Sequence, residues 1–447
     1  MDNIQGNPTK TFFIEMITRD ISIKDAILDL LDNSIDGANR INSVDYSNLY
    51  IEIFISKDEF IVKDNCGGFS LDTAKKYAFR FGRPDDAPKA DGSVGRFGVG
   101  MKRALFKIGH RFEVESKSNP DHFQIYVDVA EWKNKKKQVK LADDIMIQEE
   151  DWSFTSNNIS DGTTNLTENG TYIRVDNLNK DVASTFSEDS FLSGLKTDIE
   201  RLLNLSLEKG IKIVLNGEEL NKKGIVLFND AAKPYVVKGK YGNVSFKVVA
   251  GLSHVGDPSS SGWYIYCNDR LVLEADTSEI TGWNSDGIPK FHVDYVMFKG
   301  VVFLDSEETI DLPLTTTKRG IDATSDVYKK VLFYMREGLS SVLAFLKKVR
   351  KFGDQANNYR KLLGEQEDKI AVIELRNLEI GRPRIFSEPE LDMDIVAEKN
   401  EWCRISFGAD RKTADRAKQN SETSSYKQLG EYIFDYYLKM EDLEQNE

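Results

Sequence analysis

Asp29, Asn33 and Asp36 stand four and three residues apart in the stretch DLLDNSIDGA, residues 29–38. That spacing places all three on one face of a helix. Farther along, IVKDNCGGFS is an apolar strand that runs into Asp64 and a tight turn. GSVGRFGVGMKRA then forms a glycine-rich loop that enters a helix at about Met101. A carboxylate, an amide, a second carboxylate at a strand end and a glycine loop at a helix N-terminus suit a magnesium–nucleotide complex. Mg²⁺ is a hard cation that keeps several waters and takes one or two protein oxygens. The exocyclic amine of adenine donates to a carboxylate, and phosphate oxygens accept from backbone amides at a helix start. The pattern reads as an ATP site, and it is not a P-loop.

These groups need a scaffold. Ile27, Leu28, Leu31 and Ile35 fall largely away from the polar face and can pack on a sheet. Strand-like runs occur at Tyr50–Ile55, Phe60–Val62, Arg111–Ser116, Phe123–Val129 and Thr171–Val175. Strands interspersed with helices, without repeated βαβ crossovers, predict an α+β sandwich over residues 1–182. The Ser/Thr/Asn-rich segment Asp151–Asn169 reads as an exposed loop. The lysine run before it, WKNKKKQVK, fits either a solvated hairpin tip or a phosphate-contacting loop.

A second domain is expected over residues 183–325. It opens on an amphipathic helix near Ser190–Lys209 and continues with strands at 211–215, 236–238, 244–249 and 263–267, the last turning through Asn268-Asp269-Arg270 into Leu271–Leu273. Residues 326–447 begin with a long helical pattern bearing basic clusters and end in a helix near Tyr426–Leu443. The basic clusters fit a nucleic-acid contact or a solvated helix face equally.

At 447 residues there is room for two or three domains. A net charge of −13 argues against blanket coating of nucleic acid. No apolar run approaches the roughly 20 residues that span a membrane. Cys66, Cys267 and Cys403 are scattered, suggesting neither a zinc site nor a disulfide framework. The N-terminal residues lack the apolar core of a secretory signal, so a reduced cytoplasmic setting is expected.

The three polar stretches resemble the N-box and the glycine boxes of the GHKL ATPases: gyrase B subunits, the ninety-kilodalton heat-shock chaperones, MutL, MORC proteins and sensor histidine kinases. Gly170-Thr171-Tyr172-Ile173-Arg174-Val175 is similar to the Gly-Thr strand that closes the adenine pocket of that family. The resemblance, strongest to prokaryotic MORC/MutL-type proteins, implies a Bergerat-type α/β sandwich, an α/β transducer domain and a mainly helical C-terminal region. It implies Asn33 as the Mg²⁺ ligand and Asp64, with Thr171, as the adenine contacts. Asp36, Gly68, Gly95, Gly98, Val99, Gly100, Met101 and Lys102 are implied to line the nucleotide, with Lys102 neutralising phosphate charge. Asp29 stands where the family carries a glutamate general base, one methylene short, so slow turnover is expected. Lys318, in LPLTTTKRGID, is the candidate for a transducer lysine that reaches the γ-phosphate. Cys66 departs from the family's usual glycine, and Gly67 is expected to take over the positive-φ position.

The resulting expectation is an ATP-driven switch that homodimerises on ATP and acts on DNA or a DNA-associated protein. The alternatives are a chaperone-like ATPase acting on polypeptides and a non-hydrolysing ATP-binding module. A histidine kinase is disfavoured because no histidine precedes the N-box.

Overall fold

The computed structural model describes residues 8–82, 100–140, 146–159, 164–222, 224–229, 232–253, 256–315, 320–351, 370–377, 382–389, 405–421 and 423–440. Ser22 starts the polar helix: its hydroxyl accepts from the Asp25 amide at 3.2 Å, satisfying one of the orphan donors of helix α2 (Ile23–Ile41). Helix α1 (Lys10–Arg19) precedes it with a similar Thr9 cap. On α2, Ala26, Ile27, Leu28, Leu30, Leu31, Ile35 and Ala38 are buried in the core of an eight-stranded sheet.

Strands β1 (Tyr50–Ile55) and β2 (Glu59–Asp64) form an antiparallel hairpin. Beyond them lie β3 (Gly109–Lys117), β4 (His122–Asp128), a separate hairpin of β5 (Lys136–Lys140) and β6 (Met146–Glu150), then β7 (Ser156–Asn158), β8 (Gly170–Leu178), β9 (Lys212–Leu215) and β10 (Glu218–Glu219). The sheet order is β10-β9-β1-β2-β8-β3-β4-β7. All its pairings are antiparallel except β1 with β9, as expected for strands not linked by repeated crossovers. Helix α3 (Gly100–Ile108) packs beside α2 and leads directly into β3.

After the short pair of β11 (Val226–Leu227) with Ile370–Ala371, a second sheet contains β12 (Tyr235–Tyr241), β13 (Val244–Leu252), β14 (Gly262–Cys267), β15 (Arg270–Asp276) and β16 (Phe298–Asp305). Its order is β12-β13-β16-β14-β15, with β14 and β16 parallel. Every residue of β14 is buried, the signature of a central strand covered on both faces. Helix α4 (Asp326–Arg350) lies across β12, β13 and β16. Thus β9 and β10, beyond residue 182, belong to the first sheet, and α4, beyond residue 325, belongs to the second.

Residues Met1–Leu391 form one unit by their contacts and Asp392–Glu447 a second. Within the second, helices Arg411–Asn420 and Tyr426–Met440 touch through the Tyr426 hydroxyl, which donates to Asp415 at 2.5 Å.

One sequence expectation changes. The Asp151–Asn169 segment is tied down where described: Trp152 and Phe154 join an aromatic cluster with Phe13, Phe81 and Trp132, and Leu166 is buried. Its polar composition concealed these three anchors. The basic hairpin faces its own acids across the ladder, Lys136 opposite Glu150 and Lys137 opposite Glu149. Likewise on α4, Lys329 pairs with Asp326, Lys348 with Glu388 and Arg350 with Asp294.

Candidate nucleotide site

Asp64 ends β2 directly opposite Thr171 of β8. Its carboxylate is buried and accepts three bonds: from the Ser34 hydroxyl at 2.7 Å, the Cys66 amide at 2.9 Å and the Thr171 amide at 3.2 Å. Burial pushes the Asp64 carboxyl up, while these donors and the Arg40 charge pull the other way. Ser34 comes from α2, so that helix is hydrogen-bonded to the end of β2.

The turn after Asp64 is built for close approach. Gly67 and Gly68 both take positive φ, +88° and +60°. A Cβ on Gly37 of α2 would lie 2.4 Å from the Cys66 carbonyl oxygen, and one on Gly170 would lie 1.9 Å from that of Asp64. Helix, turn and β8 therefore meet backbone to backbone, which only glycine permits. Cys66 is buried, and burial pushes its thiol up, leaving it an inert filler.

Along α2, Asn33 is exposed, Asp36 is buried and Asp29 is half-covered. Asp29 lies against the start of α3: a Cβ on Gly100 would sit 3.5 Å from its Oδ2. The Arg103 guanidinium, one turn into α3, reaches the same oxygen at 2.5 Å. Met101 is partly buried against the first core. Lys102 departs from expectation. Its ammonium is buried, donates to the Ala78 carbonyl at 2.6 Å and lies 5.6 Å from the Phe81 ring. Burial pushes it down to about 7. The physical reason is helical rotation: a step of about 100° separates Lys102, which faces the aromatic cluster, from Arg103, which faces α2. Gly95, Gly98, Val99 and Lys318 lie outside the described residues.

Sequence reasoning missed four participants. Ser34 and Arg103 are neighbours of expected residues and needed only the helical rotation. Asp32 is buried and paired with Arg270, the first residue of β15. Nothing in the local sequence pairs those two, because α2 packs on the first sheet and β15 lies in the second. Next to Arg270, Asp269 accepts from Lys209 at 2.6 Å and pairs with Arg376 at 2.5 Å. The turn Asn268-Asp269, both at positive φ, thus sets Asp269 against Lys209 and Arg376 and the adjacent Arg270 against Asp32 of α2.

One helix therefore carries Asp29 to the N-terminus of α3 and, through Ser34, bonds to Asp64 at a strand end. Residues 21–162 match the family described as histidine kinase-, DNA gyrase B-, and HSP90-like ATPase. The matched segment is similar to a GHKL-type ATPase domain. The match supports ATP binding and ATPase activity, and the large, mainly antiparallel sheet is consistent with a GHKL ATPase domain. No curated protein gives a significant match to this chain. Among the described residues no helix is long and apolar enough to cross a membrane.

Proposed function

We propose that the chain is an ATP-driven conformational switch of the MORC/MutL kind, in which Asp64 holds adenine and the start of α3 faces the phosphates. The observation that carries this reading is the buried Asp64 carboxylate, fixed by Ser34, Cys66 and Thr171. Its bonded oxygens leave capacity to accept an amine hydrogen, since an ionised carboxylate offers about four lone-pair sites. Gly68 shapes the turn beneath adenine, and Asp36 and Met101 complete the lining from α2 and α3.

Among the described residues no group of three or more His, Cys, Asp and Glu side chains is placed to hold a metal. That suits Mg²⁺, which arrives with phosphates and needs few protein oxygens. Asn33, exposed on α2, would supply its amide oxygen, and the ion would neutralise phosphate charge. Asp29 is the candidate base, taking a proton from water as the water oxygen attacks the terminal phosphorus and ADP leaves. Lys318 is the candidate to stabilise the charge that develops there. The glycines at 95 and 98, with Val99, would give backbone amides to the phosphates. ATP would bring two copies together, and DNA or a DNA-bound protein would be the partner. The second sheet, linked to α2 through Asp32 and Arg270, would serve as the transducer.

A second reading, ATP binding without turnover, is favoured by the Asp29–Arg103 pair, because a carboxylate oxygen already bonded to a guanidinium is not free to meet a water. Turnover separates the two. ATP hydrolysis measured with Mg²⁺, with and without duplex DNA at two salt concentrations, should be slow, DNA-stimulated and salt-sensitive. Asn33→Ala should abolish the magnesium-dependent part. Nucleotide binding with no turnover selects the second reading, and Asn33→Ala at wild-type turnover removes the metal assignment.

A further inference from the structure

We propose that Arg103 is a sensor of the terminal phosphate of a nucleoside triphosphate, and that Asp29 occupies that phosphate's place until the nucleotide arrives. The inference rests on the ATP reading above.

Three observations converge on it. A Cβ added to Gly100, the first residue of α3, would lie 3.5 Å from Asp29 Oδ2, so the carboxylate stands beside a helix start, where dipole and free amides favour an anion. The charge standing there is thus the chain's own carboxylate. Arg103 holds that carboxylate through Nη2, while its Nε is buried and makes no hydrogen bond among the described residues. A guanidinium fork with an unused edge matches the several oxygens of a phosphate better than one carboxylate oxygen. Finally, Asp29 has a second cation to turn to: its charge supports that of buried Arg270, which already pairs with Asp32 one helical turn away. Asp29 and Asp32 on α2 are therefore served by two arginines, one from the helix after the glycine loop and one from the second sheet.

The consequence is an exchange of partners. A terminal phosphate at the start of α3 carries more charge than a carboxylate and competes for Arg103, and like charges cannot share that position without it. When Arg103 turns to the phosphate, Asp29 is released beside the reacting centre, still neighboured by Arg270. A diphosphate lacks the competing group and leaves the Asp29–Arg103 pair closed. The base is freed only when there is something to hydrolyse.

The test compares ADP with a non-hydrolysable ATP analogue, each titrated calorimetrically with Mg²⁺ into the full chain. Arg103→Gln should weaken the analogue tenfold or more and change ADP less than twofold. Asp29→Asn should tighten the analogue several-fold, and that gain should vanish in the double variant Asp29→Asn/Arg103→Gln. Equal weakening of both nucleotides by Arg103→Gln overturns the proposal and makes Arg103 a structural strut. Persistence in the double variant of the gain from Asp29→Asn also overturns it, since simple removal of a negative charge then explains the effect. If Arg103→Gln does not fold, Arg103→Lys, which keeps the charge and loses the fork, should give an intermediate loss specific to the analogue. A wild-type chain that binds neither nucleotide overturns the ATP reading itself, whereas normal binding without discrimination overturns only the sensor.

Discussion

At the scale of single residues, the most consequential placement is that of Lys102. Its side chain enters an aromatic cluster, where desolvation disfavours the charged form even though the Ala78 carbonyl accepts from it. With the folded value pushed down to about 7 from the ordinary 10.5, the unfolded chain holds a proton that the folded chain has released between those limits. Lys102 therefore costs stability at low pH, and that cost fades as pH rises from about 7 to 10.5. Lys102→Met keeps the stem and cannot titrate. Urea unfolding of both proteins between about pH 6 and pH 10 should show the wild type gaining on the variant as pH increases. A difference that stays flat across this range would mean the ammonium is solvated. Lys10, on α1, repeats the arrangement: its buried ammonium donates to the Trp132 and Lys135 carbonyls and lies over the Trp132 ring.

At the scale of elements, the proposed nucleotide site depends on how closely α2, the Asp64 turn and β8 approach. The residues that allow this are glycines at 37, 68 and 170, each of which faces backbone atoms that cannot rotate away. Gly170→Ala would set a methyl 1.9 Å from the Asp64 carbonyl oxygen and 2.9 Å from the Asn65 Cα. Overpacking of that kind costs about 1–3 kcal/mol, and here it also shifts the Asp64 carboxylate. We expect loss at the upper end of that range and at least tenfold weaker ATP binding, read by chemical denaturation and calorimetry. Gly217→Ala is the control. Gly217 has positive φ but open space, so only backbone strain of about 1–2 kcal/mol is expected and ATP binding is retained. Equal effects of both substitutions on nucleotide affinity would show that the close approach does not shape the pocket.

At the scale of the whole first unit, Asp32 and Arg270 join the two sheets through a buried ion pair. Removing one partner of such a pair leaves an uncompensated buried charge and typically costs about 3–5 kcal/mol. Arg270→Met should approach that cost. Asp32→Leu combined with Arg270→Met should recover much of it, because both charges are then gone. A double-mutant cycle by urea denaturation measures the coupling, expected at about 2 kcal/mol or more. A coupling near zero would mean that the residues act on the two sheets independently. The Lys209–Asp269–Arg376 group, with Asp305 also bound by Arg376, is a second charged contact at the same turn.

The local signals were legible because each rests on a short-range rule. Helical spacing placed Asp29, Asn33 and Asp36 on α2, and apolar alternation located β1, β2, β3, β4 and β8. Turn chemistry anticipated the positive φ of Gly67. What the chain order did not contain was partnership between distant segments. The parallel pairing of β9 with β1 carries the first sheet past residue 182, and α4 is covered by the second sheet because its apolar face fits there. The partial burial of Trp152 and Phe154 within a polar stretch depends on aromatic neighbours contributed by α1 and by Trp132. The rotation that sends Lys102 inward and Arg103 toward Asp29 is set by how α3 packs on α2, and the pairing of Asp32 with Arg270 is set by how the two sheets meet. Residue types determined by themselves which chemistry was available. Packing, which lowers free energy through buried area and matched charge rather than through sequence proximity, decided which of those groups face one another.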